Sequence, residues 1–459
     1  MKKLLLIILI TTLATTIWGA PRTFIFKAQP IVGQVLNLST EAHPINPSMT
    51  MGGELAIELP SWNEYPWQEY LGHPTIGVGL VGINLGNNKV LGQAFAAYPY
   101  ILIHCVKARH FHLNLKFGAG LSLLTKTYNM TNNNPNMFYT SEANVAISSI
   151  LNAFINTGIN LNFPINRVWA IHADIGHMHM SNGTIIQPNA GINLAYASIG
   201  ANYTINPRAP RRYYSRYTMP YRWSANFTAS GGYRELHYRD ARGYAVGSIH
   251  AGVTYNIASW YAIGVGVDAF YDGVFNRQGT IEGMSAEDIK KQQQHTLYQR
   301  YLITDDKFTN KLRAGIAINN EFNIGKFTTL IDLGVYLYDP IKLAYKYTDE
   351  NGIVRKHTSR PMFYKYDHEK EDGWNYFKLG IRYRIIDNLY IQASLKSHLF
   401  KAEMLEWGIG YKIPWAYRYR HEHRRNKYNK HLYEVCDIVI DNHTPYGDGV
   451  IEKDYGKIG

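Results

Sequence analysis

His179 and Ser181 stand two residues apart in the run Val168-Trp169-Ala170-Ile171-His172-Ala173-Asp174-Ile175-Gly176-His177-Met178-His179-Met180-Ser181-Asn182-Gly183. A histidine base within reach of a serine hydroxyl is the minimum for acyl transfer. Side chains alternate faces along an extended chain. One face of this run then carries Trp169, Ile171, Ala173 and Ile175, followed by His177, His179 and Ser181. The other carries His172, Asp174, Gly176, Met178 and Met180. Neighbours on one face lie about 6.6 Å apart at the α-carbon, so an imidazole leaning along the strand reaches the hydroxyl. His177 is a second candidate partner for either group. An HxS pair alone carries little weight, since two polar residues at a membrane–water boundary read the same way. Polar residues against lipid are costly and tend to have a task, however, and the cost falls towards the interface.

The elements that would position this pair are strands. The chain has 459 residues, 18% charged and 14% aromatic, with 36 tyrosines and 39 glycines. An ordinary globular chain is about 25% charged. Mean hydropathy is −0.26, which excludes a bundle of membrane helices. Alternating segments, mostly of about 10 to 14 residues, recur from Phe24–Val35 through 49–59, 75–82, 89–103, 113–124, 152–163, 168–180 and 191–205. They continue through 224–236, 245–255, 261–271, 311–322, 328–338, 377–385, 390–399 and 404–411. Tight aromatic-flanked turns such as 162–167, 255–260, 322–327 and 383–390 alternate with long polar connections near 126–144, 273–306 and 339–373. Short turns on one side and long loops on the other are the pattern of an outer-membrane barrel, with the turn aromatics as an interfacial girdle. Backbone groups in lipid need internal partners, so the sheet must close. The expectation is an all-β, antiparallel transmembrane β-barrel of about 14–16 strands over 21–415. Two or three soluble β-sandwiches would explain the alternation but not the turn rhythm.

The ends of the chain set its compartment. Met1-Lys2-Lys3, the apolar run to Leu13 and Gly19-Ala20 read as a secretory signal peptide over 1–20. Residues 416–459 read as a C-terminal extension, opening on the basic run Arg418–Lys427. The formal net charge of +12 suits an anionic partner. Export makes nucleic acid the wrong anion and a phosphate-bearing membrane the better one. Cys105 and Cys436 are the only cysteines. A disulfide between them is open outside the cytoplasm, and no cysteine–histidine spacing argues for a metal.

Ser181-Asn182-Gly183 runs into Thr184-Ile185-Ile186-Gln187-Pro188-Asn189-Ala190-Gly191-Ile192-Asn193. Here the sequence resembles the lipid A 3-O-deacylase family of outer-membrane acyloxyacyl hydrolases. The likeness rests on His179-Met180-Ser181-Asn182-Gly183, on Gln187-Pro188-Asn189-Ala190-Gly191-Ile192 and on the Gly-rich Phe117–Lys126. It covers roughly 115–206. The resemblance implies a serine esterase on the outside of a barrel in the Gram-negative outer membrane, acting on lipid A of lipopolysaccharide among the outer-membrane lipids. It implies no metal or other cofactor. Carried over, His179 is the general base, Ser181 the nucleophile and Asn189 the oxyanion residue, with the Asn182 and Gly183 amides as further donors. Family members have a glutamate orienting the histidine, and Asn193 stands there. Asparagine can fix a tautomer but supplies no charge. Glu142 in the preceding loop is the alternative acid. The competing functions are a transport barrel or porin, whose lumen about 16 strands could leave open, and a barrel that binds lipopolysaccharide without chemistry.

Overall fold

The computed structural model describes residues 23–36, 47–61, 66–128, 144, 146–207, 221–237, 240–275, 307–366, 368, 371–399 and 401–415. The signal-like residues 1–20, Glu142, Cys436 and the extension 416–459 lie outside them.

The first eight strands are β1 (Phe24–Leu36), β2 (Thr50–Pro60), β3 (Thr75–Asn84), β4 (Gln93–Lys107), β5 (His112–Leu124), β6 (Leu151–Pro164), β7 (Trp169–Ser181) and β8 (Ile192–Ile205). They pair in order, and β8 returns to β1 with Phe24 opposite Ile205 and Leu36 opposite Asn193. The chain then starts again with β9 (Trp223–His237), β10 (Asp240–Asn256), β11 (Tyr261–Asp272), β12 (Leu312–Ile324) and β13 (Phe327–Tyr338). A small hairpin follows, β14 (Lys346–Thr348) with β15 (Val354–Lys356). The second ring is completed by β16 (Asn375–Arg384), β17 (Leu389–His398) and β18 (Lys401–Trp415), and β18 pairs with β9.

The all-β antiparallel class and the long strands therefore follow the sequence reading, with bounds within a few residues. The single ring of 14–16 strands does not: the strands close as two barrels of eight. The interiors show why. Lys27 on β1 donates to Asp174 on β7 at 2.7 Å, and Gln29 donates to the same carboxylate at 3.1 Å. Lys116 on β5 donates to both oxygens of Glu54 on β2, at 3.0 and 3.1 Å. Such contacts join strands two and three places apart through the interior, and only a ring of about eight strands is narrow enough for side chains to fill it. The second barrel is filled likewise. Lys378, His250 and Tyr376 all donate to Asp268, and Arg382 and Lys412 both donate to Glu321. Among the described residues both interiors are thus filled, unlike the open lumen of a porin.

Residue distribution is inside-out. Ile175 and Ile199 on the outer wall are 67% and 68% exposed, whereas Glu54 and Asp174 inside are 1% exposed. An apolar wall around a polar, internally paired filling suits a barrel standing in hydrocarbon. Aromatic pairs gather at the end with the tight turns: Trp169 with Tyr203, Trp223 with Tyr255, Trp260 with Phe322 and Phe327 with Tyr383.

Removing one partner of a buried pair leaves an uncompensated charge. Asp174→Ala strands the Lys27 ammonium and is expected to cost about 3 kcal/mol or more. Urea unfolding in lipid vesicles should show a lower midpoint at unchanged slope. A midpoint equal to wild type would mean that the Lys27–Asp174 contact does not hold the first barrel together.

Candidate active site

Met178 and Met180 point into the first barrel and are fully buried, which fixes the intervening residues outward. His179 lies between Ile155 on β6 and Asn193 on β8, and Ser181 lies opposite Ala153 on β6. The pair sits at the end of β7 remote from the tight turns, where the chain leaves for the 182–191 connection. Ser181 is buried although it faces outward, and His179 is half-buried.

Three side chains form a line. The Asn193 Oδ1 can only accept, so His179 Nδ1 donates to it, at 2.8 Å. That fixes the tautomer whose Nε2 carries a lone pair. The Ser181 hydroxyl lies 3.0 Å from that Nε2. This is hydrogen-bond distance for a base taking the nucleophile's proton. His177 is on the same outward face, opposite Thr157 and Ala195. It is not the orienting group, because both ring nitrogens of His179 are already engaged.

The 182–191 connection folds back beside the serine. Asn189 Oδ1 accepts from the Asn182 amide at 3.1 Å, which leaves the Asn189 NH2 as the donor. The Asn182 amide is therefore taken, while that of Gly183 donates to no described residue. Asn182 Nδ2 donates to Ser149 Oγ at 3.0 Å and to the Ile186 carbonyl at 2.9 Å. Gly183 and Thr184 both have positive φ, 64° and 74°. A β-branched residue there is strained, and such strain clusters at functional sites.

Gly191 closes the connection at φ 79°. A Cβ there would lie 2.9 Å from His179 Cε1. Gly191→Ala is expected to push the imidazole off the serine. A crystal structure of the variant checks this, and an unmoved His179 would show that the imidazole does not need this space.

The connection is held by the second barrel. Thr184 Oγ1 donates to the Glu403 carbonyl on β18 at 2.7 Å. The Glu235 amide on β9 donates to the Thr184 carbonyl at 3.2 Å. The Glu235 carboxylate accepts from the Gln187 amide at 2.9 Å. A Cβ on Gly183 would meet Leu405 and Leu395 on the outer wall of the second barrel at 3.0 and 3.3 Å. Sequence reasoning missed Thr184, Gln187 and Glu235. Glu235 could have been noticed as an acid ending the otherwise apolar outward series Phe227, Ala229, Gly231, Tyr233.

One cluster among the described residues has metal-ligand types, the buried Asp372, His398 and Glu403 inside the second barrel. Cations of the protein already occupy it, since Arg313 and Lys396 both donate to Glu403. His398 Nε2 meets the Tyr336 hydroxyl at 2.8 Å.

Comparison with known proteins places these features in a family. Residues 51–202 match the family model described as lipid A 3-O-deacylase (PagL). Residues 223–349 and 361–415 match that of the acyloxyacyl hydrolase C-terminal domain. The two matches follow the two barrels and extend well beyond the 115–206 of the sequence resemblance. No curated protein matches the chain. Among solved structures, the outer membrane enzyme PagL is 18% identical over 38% of this chain and 97% of its own, with a TM-score of 0.25. Neisserial surface protein A is 9% identical over 41% of this chain and 98% of its own, also at 0.25. A mutant of the Rh. blastica porin is 8% identical over 85% of this chain and 100% of its own, at 0.16. TM-scores this low carry no argument about the chain. The two family models, one on each barrel, do: the chain belongs to the lipid A 3-O-deacylase (acyloxyacyl hydrolase) family.

Proposed function

We propose that this chain is an outer-membrane serine esterase that removes the ester-linked acyl chain at the 3-position of lipid A. The observation that carries the reading is the line Asn193–His179–Ser181, with contacts of 2.8 and 3.0 Å, on the outward face of β7. The family and the inside-out barrels support an outer-membrane location.

His179 Nε2 takes the Ser181 proton as Oγ attacks the ester carbonyl. The imidazolium that forms keeps its Nδ1–H on Asn193. The oxyanion is met by the Asn189 NH2, and the Gly183 amide is a second donor of the right kind. His179 then protonates the leaving sugar oxygen, and deacylated lipid A departs. His179 next activates water against the acyl-serine, which releases the fatty acid. A lipid-facing pair at a strand end suits an ester just below the head-group plane. Cationic side chains in the loops would meet the lipid A phosphates.

The test is fatty-acid release from lipid A by the purified protein in detergent micelles. The expected result is turnover with one kind of ester chain released. If no fatty acid appears while the barrels are folded, the esterase reading fails, and a lipopolysaccharide-binding barrel takes its place.

A further inference from the structure

We propose that the second barrel takes part in the reaction through Glu235, a positioning residue for the oxyanion side of the site. The inference rests on the esterase reading of Ser181 and His179.

Among the described residues the second barrel shows no outward His–Ser contact of its own. β17 is the seventh strand of its ring, as β7 is of the first. It is shorter, ending at His398, and the chain has already entered β18 at Lys401, so no strand position there corresponds to Ser181. A barrel without the chemistry is nonetheless joined to the connection that carries it.

The join follows a chain of hydrogen bonds that ends at the oxyanion residue. Glu235 Oε2 accepts from the Gln187 amide at 2.9 Å. Gln187 Oε1 accepts from the Asn189 amide at 3.1 Å. Asn189 Oδ1 accepts from the amide of Asn182, the residue after the nucleophile, at 3.1 Å. The strained Gly183–Thr184 step is gripped at the same seam. Its Thr184 contacts run to Glu403 and Glu235, where β9 and β18 have parted beyond Gly231 and Trp407. The connection thus wedges into the closing seam of the second barrel.

Glu235 is also an odd residue for its place. The outward face of β9 otherwise presents Trp223, Phe227 and Tyr233, all exposed. An acid at the loop end of this series breaks the apolar pattern, and its carboxylate holds the Gln187 amide. An oxyanion donor works by being held in place before the charge develops, so slack in this chain should slow chemistry rather than weaken binding.

The experiment compares steady-state kinetics of full-length wild type, Glu235→Ala, Glu235→Gln, Gln187→Leu, the Glu235→Ala/Gln187→Leu double variant and Ser181→Ala in micelles. Glu235→Ala should lower kcat roughly 10–100-fold with KM within about twofold, as for lost positioning. Glu235→Gln keeps an acceptor for the Gln187 amide and should recover most of kcat. Gln187→Leu cuts the next link and should give a similar fall. The double variant should be no worse than the poorer single one, because both act through one chain. Wild-type kcat in folded Glu235→Ala overturns the proposal. So do additive losses, or equal losses in Glu235→Ala and Glu235→Gln. If Glu235→Ala fails to fold, Gln187→Leu and Glu235→Gln decide. Inactive wild type, or active Ser181→Ala, sinks the esterase reading and this proposal together. An inert Ser181→Ala beside a fully active Glu235→Ala sinks this proposal alone.

Discussion

Ser181→Ala is expected to lower kcat for lipid A deacylation by about 10³-fold or more while leaving both barrels folded, because covalent catalysis loses its nucleophile. His179→Ala should fall by a similar factor, since Ser181 is then a neutral hydroxyl without a base. The double variant should lose little more than either single one, because residues that act as a unit are not additive. Stability is expected to be nearly unchanged. Ser181 and His179 face outward and take no part in the ion-paired interior, and Ser181→Ala removes one hydroxyl. Initial rates of fatty-acid release, with electrophoretic mobility as the check on folding, decide the matter. A Ser181→Ala protein with wild-type rate would mean that another group attacks the ester.

The second large effect is expected at Asn193, where the family resemblance implies a glutamate. The 2.8 Å contact to Nδ1 fixes the tautomer but leaves the imidazolium without a counter-charge. Asn193→Ala frees the ring to rotate or to carry its proton on the wrong nitrogen. A fall of roughly 10–100-fold in kcat is expected, less than for the base itself, because orienting is only part of the catalytic effect. Asn193→Asp keeps the acceptor and adds charge where imidazolium forms, in surroundings poorer in water than bulk. Its kcat should rise above wild type, by about tenfold at most. Glu142 lies outside the described residues, so this pair of variants is also its test. If Asn193→Ala keeps full activity, the ring is oriented by another group and Glu142 is the first candidate.

Much of this was legible in the sequence because it depends on local pattern. The period-two alternation from Phe24 to Tyr411 fixes which residues face out, and it places His179 and Ser181 on one face without any tertiary knowledge. Asn193 was found through the family motif, and its position opposite His179 is what antiparallel pairing of β7 with β8 makes of it. Two things were not legible. Alternation does not say where a sheet closes, since every strand of an eight-stranded and a sixteen-stranded ring reads alike. The signal was present in Asn206-Pro207-Arg208-Ala209-Pro210-Arg211-Arg212, a Pro/Arg-rich stretch opening a long connection on the side where most others are tight. Glu235 was legible only as an acid in an otherwise apolar outward series. Its contact with Gln187 comes from two barrels standing side by side, which no local pattern encodes.

The central claim is that an outward Ser–His pair on β7 takes an acyl chain off lipid A. Mass spectrometry of lipid A from cells expressing the full-length protein tests it most directly. The expected spectrum shows a species lighter by one ester-linked acyl chain, with fragmentation placing the loss at the 3-position, and no such species with Ser181→Ala. Unaltered lipid A in cells that carry the folded wild-type protein would contradict the account.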